Sequence, residues 1–193
     1  MISLRTLSRP VSVSLLILLA VLALSTLFFV KPQTANATLG EGGGQNLFLK
    51  IDGMTGDVVG GQHAGEFTAF SFGSSVSTKV NNGGGGGGGG KPTFSDFEVT
   101  VKSGKGSPQI FQAAATGTHI KTVTLTTETP NGVKLSWKLS DVLVTAYSST
   151  GSSDDATTKD ALVLNFGKII LEYKDNNGAN VSAGWDVKQN KKI

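Results

Sequence analysis

The side chains able to do chemistry are few and widely spaced. His63 and His119 stand 56 residues apart, there is no cysteine, and neither histidine sits in a His-Glu-x-x-His or Glu-x-x-His spacing. That removes thiol catalysis, a disulfide framework and any cysteine-based zinc or iron–sulfur site, and leaves no metal-ligand spacing. No Gly-x-Ser-x-Gly elbow presents a serine nucleophile. Asp154, Asp155 and Asp160 cluster in a Ser/Thr-rich stretch, but they lack the alternating spacing and terminal Glu of a calcium loop, so a solvated loop is expected there. The eight consecutive glycines after Asn81-Asn82 end in Gly90-Lys91-Pro92, where a phosphate-binding loop needs Gly-Lys-Ser/Thr opening a helix. The residues predict no catalysis and no cofactor. Trp137 and Trp185 fall within strand patterns and are expected to pack in a core or an interface.

Charge narrows the partners. The 193 residues hold 17 Lys+Arg against 14 Asp+Glu, but Arg5, Arg9 and Lys31 all precede the first acidic residue. Beyond Ala37 the balance is 14 to 14. A neutral chain without a basic cluster argues against nucleic acid as a partner. The N-terminus carries Arg5 and Arg9, then an uncharged run Val11–Val30, then Lys31-Pro32 and the small-x-small triplet Ala35-Asn36-Ala37. This is the layout of a secretory signal peptide over residues 1–37, with cleavage between Ala37 and Thr38 and an exported, periplasmic or extracellular product. An uncleaved anchor is the other reading, because the run is long enough to span a bilayer; only that segment would meet a membrane.

The elements that would position anything functional are mainly strands. After a Gly-rich spacer over 38–45, Leu47, Leu49 and Ile51 alternate, then Thr68, Phe70 and Phe72, then Phe97, Val99 and Val101. Asn81–Gly90 is expected to be a disordered loop. One helix is expected over Pro108–Thr116, with Ser107 as its N-cap and Gly117 just past its end. Its apolar residues Ile110, Phe111, Ala113 and Ala114 are expected to pack on a sheet. Two long strands follow in which the apolar parity flips, at Ser140-Asp141 and again at Gly167-Lys168. A flip means a bulge or a change of covered face, which bends a sheet toward a barrel. The expected fold is mainly β, a compact barrel of two curved sheets with one short flanking helix, over residues 46–193.

Five segments, in order, resemble one known family. Asn46-Leu47-Phe48-Leu49-Lys50-Ile51-Asp52-Gly53 resembles the opening strand of the haemolysin-coregulated protein (Hcp) family. Ser107–Ala113, running on to Thr116-Gly117-Thr118-His119-Ile120, resembles its helix and the turn after it. Leu139–Val144 and Leu164–Ile169 resemble later strands, and Ala183–Lys191 its closing signature. The resemblance implies a β-barrel whose copies close into a homohexameric ring. It implies rings that stack into the tube of a type VI secretion system, with sheath and spike proteins as partners and small effectors as cargo. It implies no enzyme activity. By the same analogy, the loop between the first two strands, with Gly53, Gly56, Asp57, Gly60, Gly61, His63 and Gly65, is where rings would stack. Its glycines suggest a flexible loop that must order first. The secretory leader leaves a second reading open, an exported domain of this type acting as an adhesive, matrix or ligand-binding protein.

Overall fold

The structure, a computed structural model, describes residues 44–80 and 89–193. The expected secretory leader, the expected Ala37/Thr38 cleavage site and residues 81–88 of the glycine-rich run lie outside the described residues. Among the described residues no helix is long and apolar enough to cross a membrane. In chain order the elements are β1 (Asn46–Ile51), β2 (Phe67–Gly73), β3 (Val76–Val80), β4 (Gly89–Phe94), β5 (Phe97–Lys102) and α1 (Ser107–Thr116). They continue as β6 (Ile120–Glu128), β7 (Lys134–Thr150), β8 (Lys159–Lys174), β9 (Asn180–Asp186) and β10 (Lys191–Lys192). The glycine run therefore ends in structure: Gly89 and Gly90 open β4, which pairs antiparallel with β3 as a separate hairpin.

The main sheet runs β10-β9-β8-β5-β2-β1-β6-β7, and β7 pairs again with β8, closing a six-stranded barrel. Closure depends on the length of β7 and β8, which are 17 and 16 residues. They pair with each other along their whole length. The first half of β7 also pairs with β6, and the first half of β8 also pairs with β5. The second half of β8 leaves the barrel wall and pairs with β9 instead. One hairpin thus belongs to two curved sheets, and the predicted barrel is present. Both parity flips are real. Leu139 and Val142 are both buried although three residues apart, as are Leu164 and Phe166 on one side of Gly167 while Ile169 packs on the core from the other.

Inside the barrel, Leu49, Phe67, Phe97, Val101, Leu125, Leu162 and Leu164 are almost fully buried. The alternation expected for β1 and β5 is the observed one. In β2 the phase differs from expectation: Phe67 and Ala69 point inward and Phe70 is 46 % exposed. A register shift between Ala69 and Ser71 then brings Phe72 back to the core side. An extra residue in one strand reverses every side chain after it, which alternation alone cannot locate.

Helix α1 ends as expected, with Gly117 at φ 64° donating its N–H to Ala113 O. Its start differs. Gly106, not Ser107, is the capping position, and it offers no side chain. A Cβ there would come within 2.4 Å of Phe67 Cζ and 2.8 Å of Thr55 O, so only glycine lets the helix begin this close to the core. Ile110 and Ala113 are buried against the barrel; full burial of an Ile side chain contributes roughly 1.5–3 kcal/mol. Phe111 faces outward, 59 % exposed, with its ring edge-on to Tyr147 at 6.0 Å.

Candidate assembly surfaces

The loop between β1 and β2 is cross-braced. Gly56 N–H donates to Gly65 O at 2.7 Å, Gly65 N–H to Val58 O at 2.9 Å, and Val58 N–H to Glu66 O at 3.1 Å. Gly53, Gly60, Gly61 and Gly65 adopt positive φ, and a Cβ on Gly56 would lie 2.3 Å from Glu66 O. The glycines serve turns and a close approach, which the expectation of a flexible loop overlooked. Asp57 accepts from Lys105 N–H at 3.2 Å, tying the loop to the turn before α1. The tip is Val59, 94 % exposed, a candidate contact residue that composition alone did not single out.

His63 anchors the loop to the end of the barrel. Its ring stacks on Phe48 with centroids 3.9 Å apart and planes at 10°. Nδ1 lies 2.8 Å from Glu66 Oε2 and Nε2 3.1 Å from Glu128 Oε2. Lys134 Nζ is 3.3 Å from Glu128 Oε1 and donates to Gln62 Oε1 at 2.7 Å. Burial works against ionising Glu128, but its hydrogen bonds with His63 and Lys134 hold its pKa below the ordinary carboxylate value. His63 is therefore a part-buried brace. His119 lies elsewhere, exposed at the turn after α1, with Nδ1 2.9 Å from Asp141 Oδ1. Among the described residues no three His, Cys, Asp or Glu side chains are placed to hold a metal ion.

Asp160 corrects the sequence reading. It is fully buried in β8, not in a solvated loop. It accepts from Ser103 Oγ at 2.6 Å and from Ser107 Oγ at 2.5 Å, and Ser107 Oγ in turn accepts from Gly104 N–H at 2.9 Å. Burial raises the carboxyl pKa, and hydrogen bonds from Ser103, Ser107, Ser149 and Tyr147 outweigh it, so the net shift is downward. The carboxylate pins the entry to α1 onto the barrel, a role that no local motif announces.

The most conspicuous surface is apolar. Where β7, β8 and β9 run side by side, the register aligns three rows: Leu139–Ile169–Trp185, Trp137–Leu171–Ala183 and Leu135–Tyr173–Val181. Exposure grows away from the barrel, from 1 % at Leu139 to 38 % at Leu171 and 64 % at Val181. The alternate positions carry Lys134, Ser136, Lys138, Lys168, Glu172, Lys174 and Ser182 with one apolar residue, Ile170, so the flap is apolar on one face and mostly polar on the other. Phe72, Val76 and Phe94 face it across an open groove of about 400 Å³, and Phe72 meets Trp137 at 4.5 Å. Both tryptophans line this groove. An apolar face of this extent is characteristic of a surface that a partner covers.

The described residues form a closed barrel that carries a short helix and an extra sheet flap. Residues 48–173 match the family described as "Type VI secretion system effector, Hcp". The chain belongs to the Hcp family of the type VI secretion system. It is similar to Protein hcp1 of Pseudomonas aeruginosa, at 30 % identity over 156 residues, covering 75 % of this chain and 96 % of that protein. The crystal structure of Hcp1 from Salmonella typhimurium superposes with a TM-score of 0.67 at 27 % identity, covering 77 % of this chain and 99 % of that one. A type VI secretion system effector from Yersinia pestis gives a TM-score of 0.60 at 25 % identity, covering 73 % and 99 %.

Proposed function

We propose that the chain is a ring-forming subunit of a type VI secretion system, six copies closing head to tail into a ring that stacks as tube and carries small effectors. The observation that carries this reading is the apolar face of β7, β8 and β9, with Leu171, Tyr173 and Val181 open to solvent. Hydrophobic surface in rows on a rigid sheet loses most by staying wet, and a copy of the same chain is the partner always present at matching concentration. In a head-to-tail ring this face meets a different face of the next subunit, so every flap is covered once the ring closes. The 14-to-14 charge balance beyond Ala37 leaves little net repulsion between copies. The braced loop Gly53–Gly65, with Val59 at its tip, is the stacking contact in this reading, and spike and sheath proteins are the further partners. The leader delivers the chain outside the cytoplasm, and the subunit acts without catalysis.

Sedimentation of the wild type against Leu171→Glu tests it. The wild type sediments as rings, and the variant as monomer with an unchanged far-ultraviolet spectrum, because the new charge faces outward in the free subunit. A Leu171→Glu protein that assembles like the wild type would remove the flap from the ring interface.

A further inference from the structure

We propose that a groove on the outer face of β1, β6 and β7, lined by Lys50, Asp52, Lys121, Thr122, Thr124 and Lys138, binds a small phosphate-bearing polyanion. The groove has a volume of about 300 Å³ and shares only β7 with the apolar flap, where Lys138 lies on the opposite face from Trp137 and Leu139. In the register Lys50 pairs with Thr124, and Thr124 pairs with Lys138, so two ammonium groups flank a hydroxyl in one row across three strands. At normal strand spacing their Cα atoms are about 10 Å apart, within reach of one multiply charged ligand held between two long stems. Thr122 adds a second hydroxyl one pleat further along, and Lys121 stands exposed beside it at the rim.

None of these three lysines makes an ion pair with a carboxylate among the described residues, whereas Lys134, Lys168 and Lys188 each do. Three unpaired cations around one concavity repel one another, and a polyanion relieves that repulsion. Asp52 offsets part of that repulsion. The donor set also selects the anion. The chain has no arginine beyond Arg9, so any anion here is held by single donors rather than by a bidentate fork. Lysine ammoniums and threonine hydroxyls donate singly from several directions, which suits the tetrahedral oxygens of phosphate.

Isothermal titration of the exported protein with sodium tripolyphosphate, and separately with citrate, is the test. The wild type binds tripolyphosphate more tightly than citrate, and the combined variant Lys50→Gln, Lys121→Gln, Lys138→Gln loses about tenfold or more in affinity. Asp52→Asn tightens binding, because it removes the one opposing charge, and Lys102→Gln with Lys159→Gln leaves it unchanged. Raising ionic strength from about 0.01 M to about 0.15 M weakens the wild type more than the triple variant. Equal binding of citrate overturns the phosphate assignment. Affinity unchanged in the triple variant, or untouched by Asp52→Asn, overturns the site.

Discussion

Asp141 stands directly across the β7–β8 pair from Gly167, and the two residues form the bend at which both long strands change the face they bury. The flanking pairs are Ser140 with Lys168 and Val142 with Phe166. Asp141 takes φ 55°, its carboxylate accepts from Lys188 Nζ, and a Cβ on Gly167 would lie 3.1 Å from Asp141 Oδ2 and 3.3 Å from Asp141 Cβ. The bare backbone of one strand makes room for the turned residue of the other.

Gly167→Val therefore attacks the bend. Its branched side chain crowds the Asp141 carboxylate and the Lys188 stem, and overpacking costs about 1–3 kcal/mol. Urea unfolding should show a lower midpoint with an unchanged slope. An unchanged midpoint would mean that the two strands bend for another reason.

The loop glycines are not equivalent. Gly56→Ala drives a Cβ against the Glu66 carbonyl and should cost about 2–3 kcal/mol. Gly60→Ala meets open space and carries only the cost of positive φ, about 1–2 kcal/mol. Thermal unfolding of the two variants under one condition checks the order, and a reversed order would contradict the braced geometry.

Acid should loosen the junction between α1 and the barrel through Asp160. Its folded pKa lies below its unfolded value of about 3.9, so the stabilisation is complete above that value and is lost as pH falls through the folded pKa. Asp160→Asn should cost about 1–3 kcal/mol at neutral pH by weakening charge-assisted hydrogen bonds. It should also flatten the acid limb of stability against pH, which Glu128, Asp141 and Asp186, with pKa values shifted the same way, still shape. An identical acid limb in variant and wild type would show that Asp160 contributes nothing to it.

Much of this architecture could be read from alternation. β1 and β5 follow a period of two, as does β6 from Val123 onward, and the parity flips mark the bend because a buried stripe cannot change parity on a flat strand. What was hidden has physical causes. The bulge that turns Phe70 out adds one residue without leaving any compositional mark. The hairpin of β3 and β4 escaped because Gly-Gly-Lys-Pro is poor strand sequence, held by pairing with a partner strand rather than by propensity. Asp160 reads as loop because an aspartate among serines and threonines is usually solvated; here hydroxyls from a distant segment, Ser103 and Ser107, bind it. The apolar flap shows as separate strands in the sequence, and only the pairing of β7, β8 and β9 makes it one surface. Nothing local marked Val59 or the lysine groove, which exist only once distant strands are neighbours.

The proposed export makes a prediction for the N-terminus. From Arg5, Arg9, the Val11–Val30 run and Ala35-Asn36-Ala37, cleavage is expected after Ala37. Mass spectrometry of protein recovered outside the cytoplasm should find Thr38 first. A chain still beginning at Met1 would mean that the segment serves as an anchor.

The account rests on self-assembly, and native mass spectrometry of the exported protein at tens of micromolar measures it directly. The predicted result is a dominant species of six subunits formed without added metal or cofactor, shifting to monomer in Leu171→Glu. A monodisperse wild-type monomer at that concentration would contradict the ring and leave the exported chain as a binding domain.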